Sequence, residues 1–389
     1  SYLSGTNAVN DSTLKFIPPI PPDNINSTSF WESPFSKFLI FTTIMWWSHH
    51  GTDGGGYIIQ RMSSAKNERH ALLATLWYNL AHYALRVWPW IIVAVVSIVM
   101  FPQIPEAYSE LGVKAGYPLV MNTLLGPGLK GILIVSFLAA FMSTIDTHLN
   151  WGASYLINDI YKRFYKPNET ERHYVVVGKI ITVLLMLLAA FTALKMQSIS
   201  KAWEFIFSMG AGIGLVLILR WFWWRVNAWS EITALATSII ITISLEFIAY
   251  YQKITAGELY SLFGTEPILF GISLQVHHKL LIIVPTAVIS WITVTFLTEP
   301  EPIDQLQKFY ARVQPGGWWG PVTFNFKHTL KPVSNGFFIQ WIAGILMIYG
   351  FTFGIGNLIF NNFSNAFFLL GYALIGSYLI WDKSISKLN

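Results

Sequence analysis

SFLAAFMSTIDTHLNWGASYLINDIYKRF, residues Ser136–Phe164, is long enough to cross a bilayer as one helix and carries a polar stripe along one side. Ser136, Ala140, Ser143, Thr147, Asn150 and Ser154 follow one another at steps of three or four, with Thr144 beside Ser143. That spacing puts them on one helix face. Phe137, Leu138, Phe141, Met142, Ile145 and Leu149 fill most of the remainder. Hydrocarbon offers a hydroxyl no hydrogen-bond partner, so the stripe must face protein, water or an ion. Two readings stand side by side. Hydroxyl oxygens are hard ligands suited to alkali cations. The same residues also serve plain helix packing, with Ser and Thr bonding back to their own carbonyls.

Composition agrees with a membrane chain. Mean hydropathy is +0.49, hydrophobic residues make up 53% and charged residues 12%, where a soluble domain carries about 25% charged. The seventeen Trp and seventeen Tyr suit interfacial belts. No cysteine is present, which excludes disulfides, thiolate nucleophiles and Cys-ligated metals. No nucleophile–base pair, phosphate loop, dinucleotide fingerprint or nucleic-acid-binding pattern stands out, so the sequence does not read as an enzyme. The fold class expected is all-α and polytopic, with about nine transmembrane spans: Phe35–Trp47, Leu73–Met100, Gly128–Leu156, Tyr174–Leu194, Trp203–Trp224, Ala228–Tyr250, Leu280–Phe296, Phe337–Phe353 and Phe363–Ile380. With the N-terminus outside, fifteen Lys and Arg fall in inner segments, Arg61, Arg69, Lys162, Arg163, Arg220 and Arg225 among them, against eight outside. The positive-inside rule then puts the N-terminus of the segment outside and its C-terminus inside, in a plasma (inner) membrane.

Residues 1–33 are polar, contain Pro18, Pro19, Pro21 and Pro22 and two glycosylation sequons at Asn10 and Asn26, and lack an apolar core of the signal-peptide kind. They read as an extracellular loop cut from a longer protein. The first span, Phe35–Trp47, is too short to cross alone. It runs into Ser48-His49-His50-Gly51-Thr52-Asp53-Gly54-Gly55-Gly56 and resumes at Tyr57. A hydrophobic segment interrupted by Gly and polar residues marks a discontinuous helix, which offers unpaired backbone groups to a buried substrate. An ordinary re-entrant turn is the plainer alternative. Trp46, Trp47, His50 and Asp53 are the substrate candidates at this break, and Glu204, opening the fifth span, either reaches substrate or sits at a helix N-terminus. Adjacent His49 and His50 point to different helix faces, which argues against a metal.

Several of these stretches resemble the sodium:solute symporter family. Gln60-Arg61 with Ala65-Lys66-Asn67 is similar to the signature that closes its broken seventh helix. Phe141-Met142-Ser143-Thr144-Ile145-Asp146-Thr147, followed by Asn150 and by Asp159-Ile160-Tyr161-Lys162-Arg163, resembles its ninth-helix motif. Tyr117-Pro118, Gly126-Pro127-Gly128-Leu129 and Gly210-Ala211-Gly212 follow in the matching order. The resemblance implies a leucine-transporter fold, two inverted five-helix repeats with substrate and Na+ near the midplane. It implies that Ala140, through its carbonyl, and Ser143 and Thr144, through their hydroxyls, form half of a sodium site. Asp146 and Thr147 occupy positions where some members hold a second sodium. Residues 34–227 would then be the second five-helix repeat, and 228–389 peripheral C-terminal helices with a cytoplasmic loop over 299–336. The first repeat, with the other half of both sites, is expected in missing N-terminal helices encoded upstream. The function implied is sodium-coupled symport of a small polar solute, with Na+ as coupling ion. A channel or uniporter on the same scaffold is the alternative, and a membrane-embedded enzyme using His49, His50 and Asp53 a distant third.

Overall fold

The computed structural model describes residues 17–22, 27–103, 106–196, 198–258, 263, 265–269, 271–323 and 336–383. The Asn10 and Asn26 sequons and most of the polar N-terminal loop lie outside the described residues. In chain order the helices are α1 (Ser27–Glu32), α2 (Pro34–Ile40), α3 (Trp46–Ser48), α4 (Gly55–Ser63), α5 (Glu68–Asn79), α6 (Val87–Met100), α7 (Gly116–Leu124), α8 (Pro127–Tyr155) and α9 (Glu171–Lys195). They continue with α10 (Ile199–Met209), α11 (Gly214–Phe222), α12 (Ala228–Thr255), α13 (Val276–Leu297), α14 (Ile303–Val313), α15 (Gly320–Thr323), α16 (Gly336–Ile359) and α17 (Phe363–Lys383). Strands Ile268–Leu269 and Ile272–Ser273 pair antiparallel as a small hairpin before α13. The protein is an all-α, multi-pass membrane protein.

Eight helices among the described residues are long and apolar enough to span: Glu68–Met100, Pro127–Tyr165, Glu171–Lys195, Ile199–Phe222, Ala228–Thr255, Val276–Leu297, Phe338–Ile359 and Phe363–Asp382. They correspond one for one to eight of the nine expected spans. The ninth, Phe35–Trp47, is absent from this set because it stops at Ser48, and α2 joins α3 through a π-helical turn over Phe41–Met45. Local chemistry sets the ends. Ser33 caps α2 by accepting from Ser36 N at 3.2 Å, with Pro34 in the first turn. Asn67 and Thr170 cap α5 and α9 in the same way, on His70 N and His173 N. Gly126 in extended conformation followed by Pro127 opens α8.

The chain forms two compact units, one of Ser1–Val95, Trp203–Gln252 and Glu266–Asn389, the other of Val96–Ala202 and Lys253–Thr265. In the first, Ile40, Ala211, Leu280, Ile283 and Val284 form a core that joins α2, α13 and the turn between α10 and α11. A second core gathers Val216, Val226, Ala234 and Trp291. Small residues let the helices approach. A Cβ on Gly212 would lie 2.2 Å from Ser238 Oγ and 2.3 Å from Ala287 Cβ. One on Gly376 in α17 would lie 2.5 Å from the Ala343 carbonyl of α16. Close backbone approach of this kind replaces the hydrophobic drive that lipid cannot supply. In the second unit α8 packs on α9, with Leu185 over Gly152 and Ile157 over Gly178.

The stretch expected as a loop over 299–336 carries α14 and α15. Trp318 and Trp319, neighbours in the chain, part company there. Trp318 is 67% exposed, but Trp319 is buried against Leu306, Tyr310 and Val322, and its indole donates to Trp221 O at 3.2 Å. The amphipathic α14 offers these residues an apolar face, which a sequence scan for spans passes over.

Candidate functional site

Two groups of residues carry the candidate chemistry, one in each unit. In the first unit the helical hydrogen-bond ladder ends at Ser48, where His49 turns extended (φ −87°, ψ 165°), and resumes at Gly55. Gly54 and Gly55 take φ of 95° and 66°, left-handed values that favour glycine. The break is braced internally. His49 Nδ1 accepts from Gly51 N at 2.9 Å, Thr52 Oγ1 donates to His49 O, and Gly54 N donates to Gly51 O at 3.0 Å.

Asp53 does two jobs. Its Oδ1 accepts from Gly55 N at 3.0 Å, satisfying an orphan donor at the start of α4. Its Oδ2 lies 2.7 Å from Arg220 Nη2 on α11, and Arg220 Nη1 lies 2.9 Å from Glu231 Oε1 on α12. The Asp53 side chain is 7% exposed. Its carboxylate is therefore committed to Arg220, and the triad ties the break to two following helices. Sequence reading grouped Arg220 with the inner loops and missed the pair. The available signal was a lone cation in an apolar helix, which must find a partner.

His50 stands over Gly210, where a Cβ would come 2.7 Å from the ring Nδ1. Gly214 sits beneath the broken backbone, and a Cβ there would be 2.3 Å from Trp47 O and 2.7 Å from His49 O. The Gly210–Gly214 turn is thus the seat of the break. Ser48 Oγ is buried there without a hydrogen-bond partner among the described residues. Trp47 donates from its indole to Thr43 O at 2.7 Å, and Trp46, half exposed, lies against Trp341 of α16 with ring centroids 5.5 Å apart. Glu204 falls in the second turn of α10, since that helix begins at Ile199. It is no helix N-terminus, so the capping alternative for it is removed. Among the described residues no group of three or more His, Asp and Glu is placed to hold a metal, the His49–His50–Asp53 set included.

In the second unit, α8 turns Ile145, Leu149, Gly152 and Ala153 partly or fully out of solvent, while Ala140, Ser143, Thr144, Asp146 and Thr147 are exposed. The hydroxyls bond back along the helix. Thr144 Oγ1 donates to Ala140 O and Thr147 Oγ1 to Ser143 O, each at 2.9 Å, and Asn150 Nδ2 donates to Asp146 Oδ1 at 3.0 Å. Thr144 Oγ1 and the Ala140 carbonyl are therefore adjacent oxygens on one face, with Ser143 beside them. Such a cluster of hard oxygens on a rigid helix can hold part of a coordination shell for an alkali cation.

The sequence profile described as "Sodium:solute symporter family" matches residues 4–240, well over half of the chain. The osmoregulated proline transporter OpuE of Bacillus subtilis is 26% identical over 169 residues, 40% of this chain and 34% of that protein. A sodium/glucose cotransporter of Vibrio parahaemolyticus is 25% identical over 236 residues, 56% of this chain and 43% of that one. Sodium/glucose cotransporter 4 of Mus musculus is 24% identical over 321 residues, 76% of this chain and again 43% of the relative. The chain spans less than half the length of each of these three relatives.

Proposed function

Because the chain belongs to the sodium:solute symporter family, we propose that it takes part in sodium-coupled symport of a small polar solute across a plasma (inner) membrane. The match over residues 4–240 carries this reading, because it runs through both the broken helix and α8. The coupling ion is Na+, and its half-site on α8 consists of the Ala140 carbonyl and the Ser143 and Thr144 hydroxyls. Asp146 and Thr147 are a second, independent candidate position. The remaining ligands come from a preceding repeat whose helices cover the exposed stripe, and alternating access is the rocking of one bundle against the other.

The solute contacts the backbone freed at Ser48–Gly54 together with Trp47 and His50. Trp46 and Asp53, engaged by Trp341 and Arg220, act as supports for that segment. Glu204 remains a solute candidate nearly two turns before the Gly210 seat. A neutral or zwitterionic solute suits these surroundings. Arg220 is neutralised by Asp53 and Glu231, and Arg86 leans on His82 at 3.1 Å. The names of the relatives, proline and glucose carriers, agree with that class. The segment enters with its N-terminal residues outside and ends with its C-terminus inside.

One Na+ crossing 100 mV releases ~2.3 kcal/mol, enough for roughly 50-fold accumulation before any ion gradient is added. The test is uptake by the full-length transporter carrying Ser143→Ala or Thr144→Ala. Ser143→Ala removes one oxygen at nearly constant volume, and Thr144→Ala removes one oxygen together with a methyl group. A hydrogen-bond-strength interaction with a charge is worth about 1.5–3 kcal/mol, so half-saturation by sodium should rise about 10- to 100-fold at unchanged protein abundance. Wild-type sodium dependence in both variants would refute the site and leave the stripe as packing.

A further inference from the structure

The first turn of α13 carries two adjacent histidines that the transport reading does not use. His277 is fully buried and His278 is 7% exposed. Their rings lie side by side with centroids 3.9 Å apart. Both reach one acceptor, the carbonyl of Trp31 on α1, from His277 Nε2 at 2.8 Å and His278 Nε2 at 3.1 Å. A carbonyl oxygen only accepts, so both Nε2 atoms carry the hydrogen. In the neutral rings this fixes the tautomer and leaves a lone pair on each Nδ1. Both Nδ1 atoms are buried and have no hydrogen-bond partner among the described residues.

Two orphaned acceptors on consecutive residues ask for a ligand. The charged neighbours of His277 are Lys37 on α2 and Glu266 ahead of the β-hairpin. Glu266 is anchored by Ser273 Oγ at 2.8 Å, and Lys279, one residue beyond His278, is held by Glu246 of α12 at 3.2 Å. The site therefore combines two imidazole lone pairs with N–H groups pinned on the far side of each ring, and a carboxylate within electrostatic reach of His277.

We propose that His277 and His278 bind a divalent first-row transition metal ion, such as Zn2+, through their Nδ1 atoms. A metal-bound imidazole commonly donates its second N–H to a carbonyl or carboxylate that fixes its orientation. Trp31 O does so for both rings at once. Imidazole nitrogen suits zinc, nickel and copper and is poorly matched to Na+ or Mg2+, so this site is chemically distinct from the oxygen stripe on α8. With two protein nitrogens, water completes the shell and Glu266 balances the charge. By fixing the two rings, the ion holds the Nε2–H bonds to Trp31 O that tie α1 to α13, whose next turns place Leu280, Ile283 and Val284 against Ile40 at the root of the broken helix.

The experiment uses the full-length protein purified in detergent, with Zn2+ as probe. At neutral pH Zn2+ should raise the midpoint of thermal unfolding by about 2–4 °C, as a ligand held only by the folded state must. His277→Gln or His278→Gln should abolish the shift, since the glutamine amide still donates to Trp31 O but offers no Nδ1 lone pair. The His49→Gln/His50→Gln double variant should keep it. Should the α13 variants fail to fold, Cu2+ bound to the wild-type protein decides: its electron paramagnetic resonance should show coupling to two imidazole nitrogens. An undiminished Zn2+ shift in both glutamine variants, or no shift and no nitrogen coupling in the wild type, would overturn the proposal and assign the orphan atoms to water.

Discussion

Replacing Arg220 with glutamine leaves the buried Asp53 carboxylate without its cationic partner. At an effective dielectric of about 20, unit charges ~4 Å apart attract by about 4 kcal/mol. The Arg220 side chain is 34% exposed and shared with Glu231, so solvent screening reduces the net loss to about 2 kcal/mol. That loss falls on the segment between Ser48 and Gly55, because the Asp53–Arg220 pair is its tie to α11. Hydrogen exchange in the purified protein reads local opening directly. At ~1.4 kcal/mol per decade, the amides of Gly54 and Gly55 should exchange roughly 30-fold faster in Arg220→Gln. Asp53→Asn keeps an acceptor for Gly55 N and removes the charge, so the double variant should recover much of the single-variant cost. Unchanged exchange in Arg220→Gln, or a double variant as labile as the sum of the singles, would show that the triad does not hold the break.

Three further outcomes are expected. Gly214→Ala pushes a Cβ to 2.3 Å from Trp47 O and should lower stability by about 1–3 kcal/mol in thermal unfolding, whereas Gly344→Ala, with open space around it, should be near neutral. Lys279→Met removes the cation from a pair whose side chains are 12% and 11% exposed and should destabilise the protein by about 1–3 kcal/mol, while Lys279→Met/Glu246→Met should be milder than the sum of the single changes. A cysteine at Asn168, between α8 and α9, should resist impermeant thiol reagents in sealed right-side-out cells and react after permeabilisation. External labelling would invert the proposed orientation.

The amino-acid order by itself determined the fold class and eight of the spans, because crossing hydrocarbon imposes a length and polarity that no tertiary contact can evade. It also marked the break after Ser48, since glycines and polar residues cannot continue an apolar helix there. The stripe of Ser143, Thr144 and Thr147 was legible from helical period alone, and the family motifs attached a meaning to it. Partners were another matter. Nothing in the spacing says that Asp53 reaches Arg220 across 167 residues, that Trp46 meets Trp341, or that His277 and His278 share the carbonyl of Trp31. The burial of Trp319 beside an exposed Trp318 was equally hidden. Periodicity reports which side of an element is apolar, while a contact between distant residues depends on where close-packed glycines let helices meet. Those meetings were decided by the tertiary structure.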